Sequence, residues 1–174
     1  HPDLGDKKSL QELKLYLNQI GIKLILDFVP NHFNADSDLI KTNPEIFLEV
    51  TKKQFENDPH TYYNSILDKQ KYFAHGRDPF FPAWQDTIQI NFFSEAARSF
   101  LANVLIELTT LCDGVRCDMA MLALNNVFQN TWRGIQEKNI YEKPAVEFWK
   151  YSIETVKNTR ADFQFIAEAY WDLE

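Results

Sequence analysis

Six residues stand out by type and spacing: Asp27, Asn31 and His32 in one cluster, Arg116 and Asp118 in a second, and Glu168 in a third. Each cluster closes a short apolar run, within residues 21–30, 113–118 and 163–168. Carboxylates at the ends of apolar strands suit chemistry that needs one ionised and one protonated carboxyl, because different surroundings push two pKa values apart. Arg116 beside Asp118 would keep that carboxylate ionised and fit to act as a nucleophile. Glu168 is flanked by Ala167, Ala169, Tyr170 and Trp171, and apolar surroundings raise a carboxyl pKa, so it is expected to hold a proton. Such a pair is the minimum equipment for breaking a glycosidic bond. One acidic strand end is ordinarily the cap of the next helix. Three in succession call for another explanation.

The elements that must position these groups can be read from periodicity. Leu10, Leu13, Leu17 and Ile20 recur at helical spacing, with Asp6 or Ser9 as candidate caps and Gly21 as a natural stop. Residues 21–30 then read as a strand with apolar residues on both faces, as in a parallel sheet covered on two sides. Residues 33–93 mix Pro, Asn, Asp, Tyr and Phe without a sustained period. They read as a long excursion with short helices, of the kind that usually carries function. Ser94 is a candidate cap for a helix whose stripe is Ala97, Phe100, Leu101, Val104, Leu105 and Leu108. A second strand follows at 113–118, where alternation puts Arg116 and Asp118 on one face and Cys117 on the other. A helix is expected over about 122–138, and another with Pro144 at its first position and Val146, Trp149, Ile153 and Val156 along it. Residues 163–168 form the third strand. Strands alternating with helices predict βα units around a parallel sheet.

Composition narrows the partners. The chain has 174 residues, with 18 basic against 25 acidic and a net charge of −7. It lacks the basic stripe that neutralising phosphates requires, which argues against nucleic acid. No apolar run reaches the ~20 residues of a membrane span. Cys112 and Cys117 match no zinc or redox spacing and read as small buried hydrophobes. His1, His60 and His75 form no metal-binding pattern and read as surface or loop residues. The compartment, cytoplasmic or secreted, stays open.

Three segments resemble signatures of the α-amylase family of glycoside hydrolases (glycoside hydrolase family 13). Asp27-Phe28-Val29-Pro30-Asn31-His32 resembles the first, Gly114-Val115-Arg116-Cys117-Asp118-Met119-Ala120 the second, and Ile166-Ala167-Glu168-Ala169-Tyr170-Trp171 the third. Their order and the long insertion after the first also match. The resemblance implies an α/β fold, part of a (β/α)8 TIM barrel: residues 1–32 hold a barrel helix and strand three, 33–93 the family's small second domain, and 94–174 barrel helix three through strand five. It implies a retaining double displacement on an α-glucan, oligosaccharide or disaccharide, with Asp118 as nucleophile and Glu168 as general acid/base. Arg116 would orient Asp118, His32 would bind the sugar, and Asp27 would brace the site. Phe80, Phe81 and Trp84 would serve either local packing or a sugar face. A transglycosylase or isomerase acting on trehalose or sucrose, and a non-catalytic sugar-binding relative, are the alternatives.

Two departures from the family pattern matter. Gln89 stands where many relatives carry an aspartate used in calcium binding or loop support, although Asn31 matches a calcium-ligating position of some members. No cofactor is therefore expected, with a structural calcium at Asn31 as the weaker alternative. The family's fourth signature would fall beyond Glu174, and a full barrel needs ~250 residues. The chain taken alone is expected to be inactive and poorly stable.

Overall fold

The computed structural model describes residues 3, 5–136 and 142–171; His1 and the end of the helix expected over 122–138 lie outside them. Helix α1 (Lys7–Gln19) is capped by Asp6, whose carboxylate accepts from the Ser9 N–H at 2.8 Å. It ends at Gly21, where φ is 77°. The Gly21 N–H donates to Asn18 O and the Ile22 N–H to Leu17 O, the two bonds of a left-handed helix stop that suits glycine. Strand β1 (Ile25–Phe28) follows.

Residues 33–93 hold more than short helices. Strand β2 (His32–Asn34) leads to α2 (Leu39–Thr42), β3 (Glu49–Val50), α3 (Lys52–Asn57), β4 (Tyr62–Asn64), β5 (Tyr72–Ala74) and β6 (Thr87–Gln89). β2 and β6 make an antiparallel ribbon, and β3, β5 and β4 an antiparallel sheet. Strands of two or three residues are too short to show alternation. This long excursion also joins the main core. Ile46, Phe47, Leu48, Phe73, Ile88 and Ile90 are buried in the same cluster as Leu101, Val115 and Val156.

The remainder alternates as expected. Ser94 caps α4 (Glu95–Leu111) by accepting from the Ala97 N–H, and Ala97, Leu101 and Leu105 are buried. Strand β7 (Gly114–Cys117) comes next. The helix expected from 122 is broken into a 3-10 turn (Ala120–Ala123), α5 (Asn125–Thr131) and α6 (Arg133–Gln136). Helix α7 (Phe148–Thr159) starts four residues after Pro144, so proline is not its first residue. Instead the Pro144 carbonyl accepts from Asn125 Nδ2 and the Glu147 carboxylate from the Asn125 N–H. That segment straps α5, which leaves Val146 exposed. Strand β8 (Gln164–Ala167) closes the order.

β1, β7 and β8 form a parallel sheet with β7 in the middle, and Asp27, Arg116 and Ile166 are in register. Only β7 is buried as a two-sided parallel strand should be. Asp27 is exposed and so is most of β8, because each outer strand has an unpaired edge. Among the described residues the sheet is open, with no closed barrel. Phe92, Phe128 and Phe148 stack edge-to-face or tilted between the helices, and each buried side chain of this size contributes about 1.5–3 kcal/mol. Cys112 and Cys117 are buried free thiols, as read from sequence.

Candidate active site

The parallel register brings three carboxylates to one guanidinium. Arg116 Nη1 donates to Asp27 Oδ1 at 3.0 Å and to Asp118 Oδ1 at 2.7 Å, while Nη2 meets Glu168 Oε1 at 2.5 Å. Each carboxylate comes from a different strand, and all three stand at or just beyond the carboxyl ends. The strand ladder continues past the formal strands to hold them. The Asp118 N–H donates to Phe28 O, the Glu168 N–H to Cys117 O, and the Ala120 N–H to Glu168 O. Paired backbones on both sides make the spacing of Asp118 and Glu168 a property of the sheet and not of a loop.

Met119, between them in the fold, adopts a left-handed backbone with φ of 43° and ψ of 48°. Only glycine visits that region freely. The turn aims the Met119 N–H at Glu168 Oε2, 2.9 Å away, and Trp149 Nε1 secures it by donating to Ala120 O at 2.6 Å. The Tyr170 hydroxyl donates to Glu168 Oε1 at 2.6 Å. Neither Met119 nor Tyr170 was singled out from sequence. The spacing of two between Glu168 and Tyr170 was the signal that could have shown the second; nothing in the sequence marks the first.

These contacts shift each of the two acids in the direction opposite to the one expected. Glu168 is held below the usual carboxylate range, first by the Tyr170 hydroxyl, then by the Met119 N–H and by Arg116. Asp118 is pushed up, first by burial, with the neighbouring Glu168 charge adding and Arg116 opposing. The sequence neighbour Tyr170 acts on Glu168 through its hydroxyl and not as an apolar wall, which is why the flanking residues misled. Arg116 is raised, first by its bond to Asp27.

His32 opens β2 and is half-buried, its ring 5.1 Å from that of Trp84. Burial holds its pKa below the usual histidine value, with Asp118 and Asp86 pulling the other way, so the imidazole is neutral at pH 7. Gly76 packs against it so closely that a Cβ there would come within 2.8 Å of His32 Cβ. Phe80 and Phe81 are about two-thirds exposed at 66% and 65%. Asp78 accepts from both of their N–H groups, and the Phe80 ring meets Trp171 edge-on at 4.8 Å. His75 lies in the loop just after β5 but is buried against Tyr63, so of its reading as a surface or loop residue only the loop holds, whereas His60 is exposed.

Asn31, the calcium candidate, is buried and bonded to Gln89: Nε2 of Gln89 donates to Asn31 Oδ1 and Asn31 O, both at 3.0 Å. Among the described residues no three His, Cys, Asp or Glu side chains converge as a metal site would require.

Comparison with solved structures gives this arrangement a context. An α-amylase from Lactobacillus plantarum superposes over 94% of this chain with a TM-score of 0.62 and 19% identity. The fold is that of part of an α-amylase. Trehalose-6-phosphate hydrolase from Bacillus licheniformis superposes over 97% of the chain with a TM-score of 0.67 and 18% identity. The α-amylase from Geobacillus thermoleovorans, solved with acarbose, does so over 98% with a TM-score of 0.56 and 17% identity. The chain spans about a third of the length of these α-amylase-type structures, 29%, 33% and 31% respectively. No family model matches the sequence, and no curated protein matches it.

Proposed function

We propose that this chain supplies the nucleophile and the acid/base of a retaining glycoside hydrolase that cleaves α-glucosidic bonds. In this reading β1, β7 and β8 are strands three to five of a (β/α)8 barrel, residues 1–32 and 94–174 are barrel, and 33–93 is the insertion that walls the cleft. The observation that carries it is the convergence of Asp27, Asp118 and Glu168 on Arg116 at the carboxyl ends of three adjacent parallel strands, where barrel enzymes place their chemistry. Two carboxylates bridged by one guanidinium lie close together. That favours retention, in which the pair is about 5–5.5 Å apart, over inversion, which needs a wider gap for water.

Asp118 attacks the anomeric carbon as the glycosidic bond to the leaving oxygen breaks. Glu168 gives that oxygen its proton, then takes one from the water that releases the sugar from Asp118. Arg116 holds both carboxylates in place and steadies their charge. The neutral imidazole of His32 hydrogen-bonds a sugar hydroxyl, and Asp27 braces the far side of Arg116. The substrates are α-glucans, oligosaccharides or disaccharides. The likeness to structures solved with acarbose and with a cyclic maltosyl-maltose supports that class.

The test is release of reducing sugar from maltooligosaccharides, sucrose and trehalose by the intact protein and its Asp118→Asn variant. Removing the nucleophile's charge is expected to lower turnover by several orders of magnitude. A folded Asp118→Asn protein as active as the parent would refute the assignment. A parent inert on every α-glucoside would return the chain to the non-catalytic reading.

A further inference from the structure

Where the insertion meets the sheet, three oxygens crowd one buried point. The Gln89 side-chain nitrogen lies 3.0 Å from Asn31 O, 3.0 Å from Asn31 Oδ1 and 2.9 Å from Ile90 O. Gln89 is fully buried and Asn31 is 2% exposed. Convergent lone pairs in a dry site need a positive partner, because an unpaired polar group there costs on the order of 1–3 kcal/mol. A hard cation is one answer, and an N–H group is the other. The amide orientation follows from the acceptors: reversed, Gln89 Oε1 would face three oxygens. As placed, the two amide hydrogens of Gln89, together with the Ile90 N–H that donates to Asn31 O, serve the three oxygens, while Oε1 ends without a partner.

The donor set does not suit calcium. That ion takes six to eight oxygens and gains from carboxylate charge. The oxygens here are neutral amide and peptide carbonyls, and the centre is already filled by N–H. We propose that the Gln89 carboxamide takes the place of a structural cation, locking Asn31 to the insertion so that this junction needs no calcium. The lock also fixes His32, which follows Asn31 and pairs with Gln89 in the β2–β6 ribbon. The inference concerns the scaffold and does not depend on the reaction proposed above.

The experiment is amide hydrogen exchange of the peptides covering residues 28–34 and 86–92 in the intact protein, with EDTA or with millimolar calcium. This readout is local, so an ion bound elsewhere does not obscure it. The parent should show equal protection in both conditions, including at the Ile90 N–H, which donates to Asn31 O. Gln89→Glu keeps the shape but sets a carboxylate against three oxygens. It should lose protection in EDTA and regain it with calcium. Gln89→Met keeps the length without donors or charge, and should lose protection in both conditions. Calcium-dependent protection in the parent, a Glu variant indifferent to calcium, or a Met variant protected like the parent would each overturn the proposal. Should the Glu variant not fold at all, the parent and the Met variant still decide it.

Discussion

Glu168 receives three donors, the Tyr170 hydroxyl, the Met119 N–H and the Arg116 guanidinium, and every one favours the carboxylate. A proton donor needs the opposite. Tyr170 is the donor that can be removed without disturbing the sheet, since it is exposed and lies beyond β8. Tyr170→Phe should therefore raise the pKa of Glu168, and, on the reaction proposed above, the alkaline limb of the intact protein's pH–rate profile should move up with it. Turnover should stay within about tenfold, short of the roughly 10²–10⁴-fold loss that deleting an acid/base brings. A carbon-detected titration of the Glu168 carboxyl reads the shift directly; an unchanged midpoint would refute the role. The groups facing Glu168 besides Tyr170 are Arg116, Asp118 and, through Arg116, Asp27, and the substitution leaves them in place. The grouping of Arg116 with Asp118 was legible in the sequence because strand alternation puts the two on one side. The direction in which each acid is shifted was not. It depends on which donors a turn at Met119 aims across space, and neither periodicity nor flanking residues report that.

The elements are pinned to one another below the site by Asp113, at the start of β7. It is 2% exposed and accepts from Asn18 Nδ2, the Leu24 N–H and Arg160 Nη2. One carboxylate thus ties α1, the entry to β1 and the exit of α7 to the central strand. Though burial alone would raise its pKa, these donors bring it from 3.8 to about 2, equivalent to about 2 kcal/mol of stability. Because the folded pKa is the lower one, that contribution is complete above about pH 4 and is lost as pH falls towards 2. Asp113→Asn should destabilise by a similar amount at neutral pH and flatten the acid arm of stability against pH, measured by urea unfolding. An acid arm as steep as the parent's would show that the pinning lies elsewhere. Long elements such as α1 and α4 could be read from their stripes and caps. The small sheets of the insertion could not, because strands of two or three residues leave no pattern and are held by contacts far away in sequence. Pro144 misled for a related reason. Its local preference for a helix start was overruled by the bond its carbonyl makes to Asn125.

At the scale of the molecule the parallel sheet is open. Among the described residues β1 and β8 each present an unpaired edge, and unpaired edges invite pairing with another chain. α1 buries none of its residues and exposes Leu13, Leu15, Tyr16 and, just past its end, Ile20. Exposed apolar side chains beside open strand edges favour association with another surface. The 174-residue chain produced alone should therefore self-associate with rising concentration and unfold over a broad range, measured by sedimentation velocity and circular dichroism. A monomer with one sharp transition would refute this. The same openness bears on the chemistry, because a carboxyl becomes a proton donor at neutral pH chiefly through loss of water around it. Glu168 lies on an outer strand, where only one flank is paired. Covering that flank should push its pKa up against the donors that now hold it down. On the reaction proposed above, the isolated chain should hold Asp118 and Glu168 on Arg116 as described and yet show no hydrolysis where the intact protein would. Activity in the isolated chain equal to that of the intact protein would show that covering this edge is not what arms the acid.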